Sequence, residues 1–127
     1  MLNKLKKYKN KKTASYQWGI TAEYLCSAFL ILKGYSILAL RYRNFQGEVD
    51  IIAARGKTLA FIEVKARQSK EDALYSVTPQ KQYIIRQAAA GFIATHQKYT
   101  HHDLRFDVMV VTSPFKIYHL KDAWRFE

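Results

Sequence analysis

The apolar run from Leu59 to Ala66 (LAFIEVKA) carries a glutamate and a lysine two residues apart, Glu63 and Lys65. No other feature of the chain restricts its fold as strongly. The run reads as a strand, and a strand sends residues i and i+2 to the same face. Glu63 and Lys65 therefore project together with Phe61, while Ile62, Val64 and Ala66 face the other way. A second charged strand just upstream carries Glu48 and Asp50. Charge inside a sheet core is costly unless something pairs with it. Either these residues neutralise one another as a structural ion pair, or Asp50, Glu63 and Lys65 form a site for a metal ion and a substrate.

The 127 residues suffice for one domain with a real core and are too few for two. Twenty-one Lys and Arg against ten Asp and Glu give a net charge of +11, which favours polyanionic partners such as nucleic acid. Six lysines, Lys4, Lys6 and Lys7 among them, fall within residues 1–12 with no acidic residue between them. That segment reads as a flexible basic arm, followed by a single domain over residues 13–127. No stretch has the length and apolarity of a secretory signal or a bilayer span, so no membrane association is expected. The lone Cys26 cannot form an internal disulfide and fits a reduced, cytoplasmic setting as a small buried hydrophobe.

Thr13 or Ser15 can cap a helix running to about Lys33, with Gly34 as its stop and Trp18, Ala22, Leu25, Phe29 and Leu32 as its apolar stripe. Its other faces are also largely apolar, which suits cover by the sheet and by a partner subunit. Strands are expected at Tyr35 to Tyr42, Glu48 to Ala54 and Thr58 to Ala66, the last two joined by a tight turn at Arg55, Gly56 and Lys57. Arg67 to Val77 reads as a surface loop. Thr78 and Pro79 open a second helix reaching about His96, and strands follow at Leu104 to Thr112 and Phe115 to Lys121. The order α-β-β-β-α-β-β predicts an α/β fold with a central mixed sheet flanked by helices.

Phosphodiester hydrolysis needs a nucleophilic water, neutralised phosphate charge and a stabilised leaving oxygen, and a divalent metal can supply all three. Mg²⁺ is usually held by one or two carboxylates plus the phosphate. Asp50 and Glu63 on adjacent strands provide that pair, and Lys65 can orient the attacking water or stabilise phosphoryl charge. Glu48 is either a further ligand or a residue of the wet sheet margin. Glu23 is either an accessory ligand reaching in from the first helix or a partly exposed carboxylate. Lys81 continues the stripe of Ile85, Ala88 and Phe92 toward the helix start, where its ammonium opposes the dipole unless a phosphate or carboxylate lies near. Arg105 and Asp107 read as a structural pair at the sheet edge, and His96, His101 and His102 as exposed.

The run GEVDIIAARGKTLAFIEVKAR, from Gly47 to Arg67, resembles the signature of the restriction-endonuclease-like superfamily, with its Asp and (Asp/Glu)-x-Lys on adjacent strands. With AEYL around Glu23, Gly34-Tyr35, Arg43-Asn44, Lys81 and RFDV from Arg105, the chain resembles the bacterial YraN family, itself similar to archaeal Holliday-junction resolvases. The resemblance implies a restriction-endonuclease-like fold with Asp50 and Glu63 as ligands of Mg²⁺ or Mn²⁺, Lys65 as the catalytic lysine, Glu23 as an accessory acid, and a homodimer. The expected function is a metal-dependent endonuclease acting on DNA, with branched or junction DNA as a substrate class. Lys81, Arg43, Arg67 and the arm lysines Lys4, Lys6 and Lys7 are the expected phosphate contacts. The alternative is a module that keeps the fold and binds DNA or RNA without cutting it.

Overall fold

The computed structural model describes residues 18–113 and 116–125. The basic arm and the expected helix caps Thr13 and Ser15 lie outside them. A helix over residues 18–32 (α1) leads into strands Ser36–Arg43 (β1), Glu48–Arg55 (β2) and Thr58–Ala66 (β3). Helices Lys70–Ser76 (α2) and Pro79–Thr95 (α3) and a 3-10 turn at Gln97–Tyr99 precede strands Asp103–Ser113 (β4) and Lys116–Leu120 (β5). The five strands form one sheet in the order β1-β2-β3-β4-β5. β3 and β4 are parallel and every other neighbouring pair is antiparallel, so the sheet is mixed. A parallel pair needs a long crossover, which α2 and α3 supply.

Each face of the sheet has its own core. Leu59 and Phe61 of β3 pack with Ile85, Ala88, Ala89 and Phe92 of α3, Ala73 of α2 and Trp124. Ala60 and Ile62, the alternate residues, pack with Ile51, Ala53, Met109 and Val111 against Ala22, Cys26 and Leu30 of α1. β3 is thus covered on both sides, which accounts for its near-continuous apolar character. The buried stripe of α1 runs through Ala22, Cys26 and Leu30 with Trp18 and Phe29 beside it, whereas Leu32, expected on that stripe, is 87% exposed. The fourfold spacing of 22, 26 and 30 follows the ridge that meets the sheet, and Leu32 lies off it.

The termini of these elements follow from their sequence. Gly34 takes φ 89°, Tyr35 N–H donates to Leu30 C=O and Gly34 N–H to Ile31 C=O, which together close α1. Gly56 takes φ 59° in the two-residue turn between Arg55 and Thr58. Thr78 caps α3 by accepting from Lys81 N–H at 3.2 Å, with Pro79 in the first turn. The expected loop at Arg67 to Val77 contains α2 instead. Ser69 accepts from Asp72 N–H, Glu71 and Asp72 stand in the first turn, and Ala73 and Val77 anchor one side in the core. Two apolar anchors four residues apart suffice for a helix this short, although they leave its composition polar.

Candidate active site

β2 and β3 part company at one end of the sheet. Their pairing runs from Arg55↔Thr58 to Ile51↔Ile62 and stops, while β2 stays with β1 as far as Glu48 and β3 stays with β4 as far as Ala66. Asp50 fills the resulting notch. Its Oδ2 accepts the Val64 N–H at 2.8 Å, so the side chain takes the place of a ladder bond. Across from Asp50 in the β1–β2 register, Arg41 has φ 51°, an uncommon conformation for a residue with a side chain. Arg41 Nε donates to Glu23 Oε2 at 2.8 Å, tying β1 to α1 beside the notch.

Glu63 and Lys65 project into this notch from β3, as their spacing predicts. Glu63 is 3% exposed, and its Oε1 lies 3.3 Å from Lys65 Nζ and 3.7 Å from Lys81 Nζ. Lys81 enters from the first turn of α3 and stands 3.8 Å from Glu48 Oε1. The cation at this helix start thus faces carboxylates. Glu63 Oε2 is buried and accepts no hydrogen bond. Such an orphaned oxygen costs about 1–3 kcal/mol, more when charged.

The electrostatics agree with that deficit. Burial, and then the Asp50 charge, push the Glu63 carboxyl up to about 7 against the pull of Lys81 and Lys65. Asp50 is raised as well, by burial first, and opposed by the Val64 N–H, Lys81, Lys65 and a hydrogen bond with Glu63. Two carboxylates hydrogen-bond each other only when one carries a proton, so with both ionised Glu63 Oε2 has no donor.

Two open clefts meet at Asp50. One of about 510 Å³ is bordered by Glu23, Arg41, Arg43, Glu48 and Asp50. The other, about 370 Å³, is bordered by Glu23, Asp50, Glu63, Lys65 and Arg67. The structure therefore brings Asp50, Glu63, Lys65 and Lys81 together and sets Glu23, Glu48 and Arg67 on the rim. Glu48 is engaged by Arg43, 2.8 Å from Arg43 Nη2, as well as by Lys81. Arg67 is exposed and donates to the Ala66 carbonyl. Lys4, Lys6 and Lys7 lie outside the described residues.

Hard carboxylate oxygens with one acceptor unsatisfied suit Mg²⁺ or Mn²⁺ better than a soft metal. Among the described residues no three His, Cys, Asp or Glu side chains are grouped to hold a metal, so the fit is that of a two-carboxylate site. Mg²⁺ sites of this kind draw their remaining ligands from water and phosphate. No local pattern in the sequence marks Arg41, whose role depends on its left-handed backbone and on a contact 18 residues away in the chain.

Arg105 and Asp107 form the expected pair where β4 runs past the end of β5, whose pairing with β4 begins only at Val108, and the chain after β5 covers that edge by Ala123 N–H donating to Phe106 C=O. Asp107 is fully buried and accepts from Arg105 Nε and Nη2, His119 Nε2 and Asp122 N–H. His119 Nδ1 lies 2.9 Å from the Lys33 ammonium, so it accepts there and Nε2 carries the proton given to Asp107. His96 and His101 are exposed, as expected. Cys26 is buried, and burial, Asp50 and Glu23 push its thiol up to about 12, which leaves it inert.

Residues 22–111 match the model of a family described as "Uncharacterised protein family UPF0102". A UPF0102 protein of Bradyrhizobium diazoefficiens is 48% identical over 101 residues, covering 80% of this chain and 76% of its own. One from Rhodopseudomonas palustris is 42% identical over 114 residues, 90% of this chain and 87% of its own. One from Nitrobacter winogradskyi is 44% identical over 100 residues, 79% and 85% of the two chains. The matched span includes Glu23, Asp50, Glu63, Lys65 and Lys81.

Proposed function

The chain belongs to the UPF0102 family, and from that premise and the geometry of the notch we propose that it is a Mg²⁺- or Mn²⁺-dependent endonuclease hydrolysing phosphodiester bonds in DNA. The observation that carries this reading is the Asp50–Glu63 pair, Asp50 half-buried and Glu63 buried with its Oε2 left without a donor, in a chain of net charge +11. Asp50 and Glu63 would hold the metal, which when bound supplies charge neutralisation at the phosphate and lowers the pKa of a coordinated water. Asp50, fixed by the Val64 N–H, keeps its carboxylate aimed into the notch. Lys65 supplies a cation for the phosphoryl oxygens, and its contact with Glu63 at 3.3 Å holds it at the reacting end of the cleft. Arg43 on the border of one cleft and Arg67 on that of the other support a role as phosphate contacts, to which we add Lys81 beside Glu48 and the arm lysines.

Branched or junction DNA is the substrate we place first. No described helix is long and apolar enough to cross a membrane. We extend the proposal to a cytoplasmic homodimer, which the exposed Tyr24, Ile31 and Leu32 of α1 support. The test incubates purified protein with labelled flapped, four-way and linear DNA, with and without Mg²⁺ or Mn²⁺. Cleavage should need the metal and fall at least about a hundredfold in Asp50→Ala and Glu63→Ala. Undiminished cleavage in either variant rejects the site assignment.

A second reading, nucleic-acid binding without cleavage, is favoured by Lys65 and Lys81 already contacting Glu63 and by the lack of a three-ligand cluster among the described residues. It predicts salt-sensitive binding that survives Asp50→Ala and no cleavage of any of these substrates.

A further inference from the structure

Phe45 is 97% exposed, more than any other large apolar side chain among the described residues, yet the loop that carries it is tightly held. Asn44 N–H donates to Gly47 C=O, and Asn44 Oδ1 accepts from the backbone N–H groups of Gln46 and Gly47, both at 2.9 Å. Asn44 Nδ2 reaches across to Ala88 C=O at 3.3 Å, which pins the loop to α3. Gly47 sits so close to that helix that a β-carbon there would overlap the Ile84 carbonyl oxygen. At Gly91 of α3 a β-carbon would likewise overlap Asn44 Nδ2. Two glycines and an Asn-centred turn thus fix the loop, and what they present to solvent is one bare aromatic ring. A free-running loop exposes apolar groups by chance; one anchored at both the strand and the helix presents Phe45 in a set direction.

The surroundings select the occupant. The shallow depression beside Phe45, about 290 Å³, is otherwise lined by Arg43, Asn44, Gln46, Gly47, Glu48 and Ile84. A protein interface core needs a contiguous apolar patch, and here only Ile84 joins Phe45. A single ring beside an arginine whose side chain is 78% exposed suits a flat π-surface attached to a phosphate backbone. Phe45 lies in the loop between β1 and β2, and its depression shares Arg43 and Glu48 with the larger cleft that Asp50 borders, so an occupant there lies on the approach to the carboxylate notch.

We propose that Phe45 is a fixed stacking platform for an unpaired nucleobase next to the Asp50–Glu63 notch, and that it makes the protein favour nucleic acid with unstacked bases over continuous duplex. The inference rests on the proposed nucleic-acid function and deepens it. Stacking on an aromatic side chain changes affinity by about 5- to 150-fold per base. In contiguous duplex every base is already stacked, so Phe45 gains nothing there.

Fluorescence anisotropy with fluorescein-labelled single strand, flapped duplex and blunt duplex, all in EDTA to prevent cleavage, tests this on the full chain. Phe45→Ala should lose at least about fivefold affinity for single-stranded and flapped DNA and less than about twofold for blunt duplex. Phe45→Trp should keep the wild-type order. Because the side chain is solvent-exposed, both variants should melt like the wild type. An alanine variant that binds flapped DNA as tightly as wild type overturns the inference and leaves the ring to a protein partner. Equal losses on duplex and flap, or a tryptophan variant as weak as alanine, overturn it as well. If wild type binds none of the three, the nucleic-acid function itself falls. If wild type binds and Phe45→Ala is silent, only the stacking role falls.

Discussion

The sheet buries acid in two places, and they are built in opposite ways. Asp107 is completely enclosed, but Arg105, His119 and the Asp122 N–H all donate to it. Burial works to raise its pKa, and those donors with the Arg105 charge outweigh it and hold the carboxyl below its usual range. Glu63 is almost as enclosed, yet one oxygen has no donor and a second carboxylate stands beside it, so its pKa goes up. Burial is common to both. The difference lies in the number of donors supplied, and a chain that fully satisfies one acid while leaving another short has left room at the second for a ligand. A satisfied cluster reads as structure; an under-satisfied one reads as a site.

The largest effect that could break this contrast comes from Asp107→Ala. It removes a fully buried carboxylate on which the half-buried Arg105 and His119 both depend, and should cost about 3–5 kcal/mol in urea or thermal unfolding. A loss under 1 kcal/mol means the Asp107 network is not the anchor its geometry implies.

Next comes the pH dependence, where the two sites pull in opposite directions. An acid whose folded pKa lies above its unfolded value binds more protons when folded, so stability falls as pH rises between the two. For Glu63 the window runs from 4.5 to about 7, and the metal-free protein should lose on the order of 3 kcal/mol across it. Asp107 is depressed, so its contribution is present above the ordinary Asp range and disappears in acid. Glu63→Gln should therefore stabilise the metal-free chain at pH 8, since the amide can donate to Asp50, and change little at pH 5. Chemical denaturation at both pH values measures this, and a destabilised Glu63→Gln at pH 8 contradicts the charge excess.

A smaller effect is expected from Gly47→Ala, which alters no charge. The added methyl collides with the Ile84 carbonyl and must push the start of β2 away from α3, costing about 1–3 kcal/mol. It should disturb the Asp50 side of the contrast alone. Equal perturbation of the His119 ring resonances by NMR would show that the two regions are not independent.

Much of this was legible in the chain. Glu63 and Lys65 share a face because strand periodicity leaves no choice, and the boundaries of β3 and α3 follow from Gly56, Thr78 and Pro79. Three things were not legible. α2 is anchored by only Ala73 and Val77, too little apolar periodicity to stand out from a polar loop. The notch depends on where β2–β3 pairing stops, which is a property of three strands together. The Asp107 network is legible only in its Arg105 pair, since Lys33, Tyr35 and His119 join it across as many as 86 residues and no local pattern announces them.

The claim on which the account turns is that the acid pair short of donors holds a divalent cation. Isothermal titration of Mn²⁺ into the metal-free chain at pH 8 tests it most directly, with Asp50→Asn and Glu63→Gln as controls. Saturable binding of about one Mn²⁺ per chain is expected, weakened at least about tenfold in each variant and weakened also at pH 5.5, where Glu63 holds its proton. No saturable heat at millimolar Mn²⁺, or binding unchanged in Asp50→Asn, would contradict it.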